Sequence, residues 1–257
     1  MSFLILQQKN RIGTVTLNRP EKRNALNSIV VKELREAFSQ YEHNDEIKVI
    51  ILRANGKVFS AGADLQYLQK LQTNSFEENK EDSDNLKDLY LQIYQSSKVV
   101  VAEVQGHAIA GGCGLMTVCD FAFAAPEAKF GYTEVKIGFI PAIVMVFLLR
   151  KLNEAFAREL LIGGQLIGAA RAYEMGLLNK VVPKEDLSTF TEDFAANLTA
   201  SNSYTSMKST KNLIAQVQGM DLENALSLAV STNAKFRETD DCRKGIAAFL
   251  NGEEVTW

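Results

Sequence analysis

Three short stretches hold the residue types that could do chemistry. Glu134 stands in GYTEVKIG (Gly131 to Gly138), a carboxylate between two glycines in an apolar context. Burial raises the pKa of such a group, so that it can hold or pass a proton near neutral pH. The alternative is a surface glutamate paired with Lys129 or Lys136. The second stretch is GKVFSAGADL (Gly56 to Leu65) and the third is GHAIAGGCGL (Gly106 to Leu115). Glycine lets a ligand approach the backbone, and two converging N–H groups can stabilise an oxyanion. Ala61-Gly62-Ala63-Asp64 and Ala110-Gly111-Gly112 could form such a pair of donors, or they could be tight strand-to-helix turns. Neither stretch matches a dinucleotide fingerprint or a phosphate loop. The histidines are His43 and His107, and no Ser/Asp pattern surrounds either, which argues against a nucleophilic triad.

The elements around these residues alternate in type. Phe3–Gln7, Ile12–Leu17, Ile47–Leu52 and Lys98–Val104 read as strands, the last two buried on both faces. Ser28 is the expected N-cap of a helix running to about His43. Gln66–Ser97 is polar, and predicts a mobile loop with a helix near Asp84–Ser96. A helix is expected over Gly114–Val118, an amphipathic segment over Leu148–Ile162, a short helix over Ala169–Met175 and a strand within Leu177–Val182. From Lys184 the pattern is helical, most clearly over Asp221–Lys235 and Thr239–Leu250. The pattern predicts an α/β core over residues 1–183 and a helical region over 184–257. Asp64 is expected to cap a helix, and Asp120 to satisfy backbone groups.

Composition narrows the function. Net charge is -3 with no basic run, which disfavours nucleic acid as a partner. No apolar stretch reaches the roughly 20 residues that span a bilayer, and the opening MSFLILQQKN lacks a basic leader pattern. A cytoplasmic protein without membrane partners is the expectation. Cys113, Cys119 and Cys242 form neither a disulfide framework nor a metal-ligand spacing.

Taken together, VTLNRPEKRNAL, FSAGADL, AGGCGLMTVCD and GYTEVKIGFIP, in this order, resemble the crotonase superfamily, the enoyl-CoA hydratase/isomerase family. The resemblance covers nearly the whole chain. It implies a ClpP/crotonase-like fold of repeated ββα units in two roughly perpendicular sheets, with C-terminal helices used for a trimer or a hexamer. It implies a coenzyme A thioester as substrate and no separate cofactor. By matching positions, the N–H groups of Ala63 and Gly111 would bind the thioester oxygen, with Glu134 as the acid/base. Lys22, Arg23, Ala25, Ala61, Gly62, Asp64, Leu65, Gly112 and Gly114 would line the path of the substrate.

The family pattern breaks in two places. Hydratases of the family place a first glutamate where this chain has Gly114, and commonly read IPGAGG where it has IPAIVM. The overall likeness is nonetheless to the enoyl-CoA hydratase branch, so the resemblance implies an enoyl-CoA hydratase, with a methyl-branched substrate such as methylglutaconyl-CoA as a variant. It leaves open a Δ3,Δ2-enoyl-CoA isomerase using Glu134 alone, and a non-catalytic acyl-CoA-binding protein. An Ala142-Ile143-Val144 wall would exclude water in the isomerase.

Overall fold

Two sheets hold the glycine-rich stretches against each other. The computed structural model describes residues 2–257, apart from the side chain of Leu65. The chain begins with β1 (Leu4–Lys9) and β2 (Ile12–Leu17), then a 3-10 turn (Pro20–Lys22), α1 (Ser28–Glu42), β3 (Val49–Ala54) and β4 (Val58–Ser60). Next come α2 (Leu65–Leu71), α3 (Phe76–Gln95), β5 (Val99–Val104), β6 (His107–Ile109), α4 (Gly111–Thr117), β7 (Phe121–Ala124) and β8 (Lys129–Gly131). A 3-10 turn (Glu134–Ile137) leads to α5 (Ala142–Lys151), α6 (Glu154–Gly163), β9 (Ile167–Gly168), α7 (Ala169–Glu174) and β10 (Lys180–Val181). Four helices close the chain: α8 (Leu187–Ser201), α9 (Tyr204–Val217), α10 (Leu222–Phe236) and α11 (Asp240–Asn251).

The larger sheet has the order β1-β2-β3-β5-β7-β10 and the smaller β4-β6-β8-β9. In the larger sheet only β1–β2 is antiparallel. Its central strands are apolar on both faces because both faces are covered. Alternate residues of a strand point to opposite sides. Ile50 and Leu52 thus join the main core with Val100 and Ala102. Val49, Ile51, Val99 and Val101 join a second cluster under α8, with Leu187, Phe190 and Phe194. Phe123 meets Phe190 and Phe194 edge-on, at 5.0 and 4.9 Å between ring centres.

Local differences from the sequence expectations have local causes. Asn27, not Ser28, caps α1, its side chain accepting from the Val30 N–H. The expected mobile loop over Gln66–Ser97 is largely helical. Asp64 caps α2 through the Gln66 N–H. Ser75 and Glu78 form a reciprocal capping box that starts α3 eight residues before Asp84. The apolar run after Pro141 splits into two helices, the second capped by Asn153. Within Leu177–Val182 only Lys180 and Val181 form a strand, paired with β7. Among the described residues, no helix is long and apolar enough to cross a membrane.

Candidate active site

The smaller sheet carries the two glycine turns to one place. β4 and β6 are parallel neighbours, Val58 facing His107 and Ser60 facing Ala108. The turns beyond both strands therefore meet. Gly62 has φ of +84°, and a Cβ there would lie 2.9 Å from the Ala110 Cβ and 3.4 Å from the Gly111 nitrogen. A Cβ at Gly112 would lie 2.5 Å from the Ser60 carbonyl oxygen. Only glycine permits either approach.

Ala110 has φ 50° and ψ −124°, a conformation that costs a non-glycine residue roughly 1–3 kcal/mol. Its N–H donates to the Gly131 carbonyl at 2.8 Å, and its carbonyl accepts from the Gly114 N–H at 3.0 Å. Those bonds fix the peptide that carries the Gly111 N–H. Across the turn, Ala63 pairs with Leu26 as an isolated parallel bridge. The Leu26 N–H donates to the Gly62 carbonyl at 2.7 Å and the Asp64 N–H to the Leu26 carbonyl at 3.0 Å. Among the described residues, the N–H groups of Ala63 and Gly111 have no acceptor. Both residues are half-buried, so the two free donors are held but not sealed.

Glu134 begins the 3-10 turn after β8, whose Gly131 carbonyl holds Ala110. Its Oε2 is enclosed and has no hydrogen-bond partner. The expected alternative, an ion pair with Lys129 or Lys136, does not form among the described residues; Lys136 reaches Gln165 at 3.3 Å. Burial pushes the Glu134 carboxyl above the ordinary range, offset in part by its own backbone N–H. Tyr90 and Cys113 lie within its field: both are raised chiefly by burial and further by the negative charge of Glu134. Cys113 is pushed up to about 12, which makes it an inert buried thiol.

The position of the missing glutamate is filled. A Cβ at Gly114 would lie 2.3 Å from Val144 Cγ1 and 2.9 Å from the Tyr90 hydroxyl oxygen. The Tyr90 O–H donates to the Gly111 carbonyl at 2.7 Å, and its ring meets Phe147 edge-on at 6.1 Å. The wall expected from Ala142-Ile143-Val144 is thus built at Gly114 by Val144 and by Tyr90, a residue the sequence did not single out. The available signal was the buried face of α3, where Leu89, Tyr90 and Ile93 recur at helical spacing.

The remaining candidates fall into two groups. Lys22 and Arg23 are exposed and Ala25 is buried on a strip beside the Ala61 turn. The Ala61 N–H donates to the Arg23 carbonyl at 3.0 Å, and Ser60 Oγ to the Asn24 carbonyl at 2.8 Å. Asp64 is consumed by the α2 cap and by an ion pair with Arg19 at 2.7 Å, so its carboxylate is a scaffold. Leu65 starts α2, and its side chain lies outside the described residues. Asp120 accepts from the Val100 N–H and from Lys211, each at 2.7 Å. His107 accepts from the Lys129 N–H through Nδ1 at 3.2 Å, and His43 Nδ1 lies 2.7 Å from the Ser39 carbonyl; neither faces a nucleophile. Among the described residues, no group of three or more His, Cys, Asp or Glu could hold a metal ion.

Glu134 is half-buried with one enclosed, partnerless carboxylate oxygen, a group suited to taking and returning a proton, and the acceptor-free N–H groups of Ala63 and Gly111 are groups suited to polarising a carbonyl. The family described as enoyl-CoA hydratase/isomerase matches residues 7–257. A putative enoyl-CoA hydratase of Thermus thermophilus is 38% identical over 251 residues, covering 96% of this chain and 97% of the relative. A short-chain-enoyl-CoA hydratase of Clostridium acetobutylicum is 30% identical, over 99% and 97%. Among solved structures, a putative enoyl-CoA hydratase/isomerase (crotonase) of Legionella pneumophila superposes with a TM-score of 0.90 at 36% identity, covering 99% of this chain and 98% of that one. The enoyl-CoA hydratase of Mycobacterium smegmatis superposes at 0.94 with 28% identity, over 100% and 99%. The chain belongs to the enoyl-CoA hydratase/isomerase family, as an enzyme with the crotonase fold.

Proposed function

We propose that this protein is an enoyl-CoA hydratase, adding water across the double bond of a 2-enoyl-CoA thioester. The observation that carries this reading is the enclosed, partnerless Oε2 of Glu134, in a chain whose Ala63 and Gly111 N–H groups are likewise free of acceptors. The two N–H groups take the thioester oxygen. As water adds, a C3–O bond forms, the Glu134 carboxylate accepts the proton of the water, and the electron pair of the double bond moves to the thioester oxygen. That enolate is stabilised by the two donors. Glu134 then returns the proton to C2, which leaves the 3-hydroxyacyl-CoA and the starting carboxylate. The exposed cations of Lys22 and Arg23 suit the phosphates of coenzyme A. The names of the relatives support the hydratase reading.

A second reading has its own support. Val144 and Tyr90 fill the space where a water-activating glutamate would stand. This favours a Δ3,Δ2-enoyl-CoA isomerase, in which Glu134 takes a proton from C2 and returns it at C4. Assembly into a trimer, alone or stacked as a hexamer, is supported by α10 and α11. No residue of α10 is buried, and Leu222, Val230, Phe249 and Leu250 are all exposed.

The test is turnover of crotonyl-CoA, followed by loss of the conjugated thioester absorbance, with Glu134→Gln in parallel. Loss in the wild type alone, with 3-hydroxybutyryl-CoA as product, is the expected result. No loss, with a rise of the same absorbance on 3-butenoyl-CoA, would establish the isomerase instead. Binding without either reaction would leave an acyl-CoA-binding protein.

A further inference from the structure

We propose that Arg19 is a positioning residue for the reaction: its guanidinium clamps the turn whose peptide presents the Ala63 N–H to the thioester oxygen. The inference rests on the reading of Ala63 and Gly111 as the oxyanion donors. Its basis is the way one peptide unit is held. The Gly62 carbonyl and the Ala63 N–H belong to the same planar trans peptide, so they point in opposite directions. The Leu26 N–H holds the carbonyl end at 2.7 Å. The N–H end is thereby turned away from Leu26, and it has no acceptor among the described residues. Leu26 sets the aim of the donor.

That hold is slight by itself. Leu26 and Ala63 form an isolated bridge, apart from the strands of either sheet. Gly62, with φ of +84°, has no side chain to resist rotation of its peptide. Arg19 fastens both sides of the bridge. Its Nη1 donates to the Asp64 carboxylate at 2.7 Å, one residue past Ala63. The same nitrogen donates to the Ala25 carbonyl at 3.4 Å, one residue before Leu26. The side chains of Arg19 and Asp64 are 12% and 7% exposed, so water competes little for the pair. The guanidinium also lies over the Phe3 ring, 5.1 Å from its centre. The backbone of Arg19 is anchored separately. Its N–H donates to Asn24 Oδ1 at 2.8 Å, and its carbonyl accepts from the Asn24 N–H at 3.0 Å. Asn24 Nδ2 ties the loop in turn to the Asn55 and Val58 carbonyls, at 2.9 and 2.8 Å. Truncating the Arg19 side chain spares every one of those bonds and removes the clamp.

The experiment reads carbonyl polarisation. Cinnamoyl-CoA is a conjugated thioester whose absorbance moves to longer wavelength when donors draw charge onto its oxygen. The shift is measured at saturation in Glu134→Gln, which cannot pass the proton, and in the same protein carrying Arg19→Ala. Saturation selects folded, liganded molecules, so a loss of stability cannot imitate the effect. Arg19→Ala is expected to lose about half of the shift, as one of the two donors goes out of line. Losing an oxyanion donor outright lowers kcat by about 100- to 1,000-fold. Loosening one should lower kcat on crotonyl-CoA on the order of tenfold to hundredfold, with KM changed far less. A full shift in Arg19→Ala overturns the proposal, as does a defect confined to KM or to binding of the probe. If Arg19→Ala does not fold, Arg19→Lys carries the same test. It keeps a mobile charge for Asp64 in place of the rigid guanidinium, so a partial loss of shift is expected and a full shift overturns the proposal. Failure of the donor reading looks different: the probe would not shift even with Arg19 intact, and both ideas would fall together.

Discussion

Gly114→Ala tests the packing at the centre of the site. The new methyl would begin 2.3 Å from Val144 Cγ1. Non-bonded carbons settle at roughly 3.5–4.0 Å, so α4 and α5 must separate by about 1.2 Å or Val144 must leave its rotamer. Overpacking of this kind costs about 1–3 kcal/mol. Alanine in place of a helical glycine returns roughly 0.5–1 kcal/mol. The net expectation is a loss of about 1–2 kcal/mol. Val144→Ala alone removes two buried methyls, and should cost roughly 2 kcal/mol with its cavity. Combining the two puts the new methyl into the new space. The pair should therefore be less destabilising than the sum, with a coupling of about 1–2 kcal/mol. Urea unfolding at fixed protein concentration measures all four proteins, and equal m-values license the comparison. Gly114→Ala as stable as wild type, or a strictly additive double variant, would refute the packing argument.

Other consequences can be checked alongside. The Glu134 carboxyl is raised by burial, so the acid limb of kcat/KM should lie above the usual glutamate range near 4.3, and vanish in Glu134→Gln. A carboxyl raised in the folded state favours folding more as pH falls through that raised value. Glu134→Gln should accordingly melt higher than wild type at pH 7, with the difference shrinking in acid. Asp64 runs the other way. Burial lifts its carboxyl, but the Arg19 bond, the Gln66 N–H and the charges of Arg19 and Lys22 outweigh it and hold the pKa below the ordinary value. Its contribution is present above the unfolded pKa and lost as pH falls through the depressed one. Arg19→Ala leaves Asp64 buried and unpaired, and should cost roughly 3 kcal/mol in chemical denaturation. Asn27→Ala should cost about 1 kcal/mol through the lost cap of α1.

How much of this was legible in the sequence depended on whether the signal was local. IKVIIL and KVVVAEV announced buried strands because a strand covered on both faces has nothing but apolar positions to show. Asp221 and Thr239 announced helix starts because a cap is read within three residues. The start of α3 was equally local, but the capping box in SFEE sits inside an acidic run, and the composition of the run hid it. The meeting of the Gly62 turn with Gly111 could be guessed only by likeness to a family, since the pairing of β4 with β6 joins distant segments. The plug at Gly114 was half visible. Val144 stood in an apolar run next to the departure from the family pattern, whereas Tyr90 was one of several apolar residues on a helix face. Which of them would reach Gly111 is decided by how α3 packs, and no spacing rule contains that.

The smaller sheet bears on how the chain becomes an enzyme. Its strands are two or three residues long and are drawn from positions as far apart as Val58, His107, Phe130 and Ile167. Each pairing closes a long loop for little local reward, so such contacts form late on the way to the native state. The free N–H groups of Ala63 and Gly111 exist as a pair only after β4 and β6 have joined. A partly folded chain can carry the whole β1–β2 hairpin and α1 and still lack this pair of free donors. During refolding, recovery of activity should therefore lag behind recovery of helical signal.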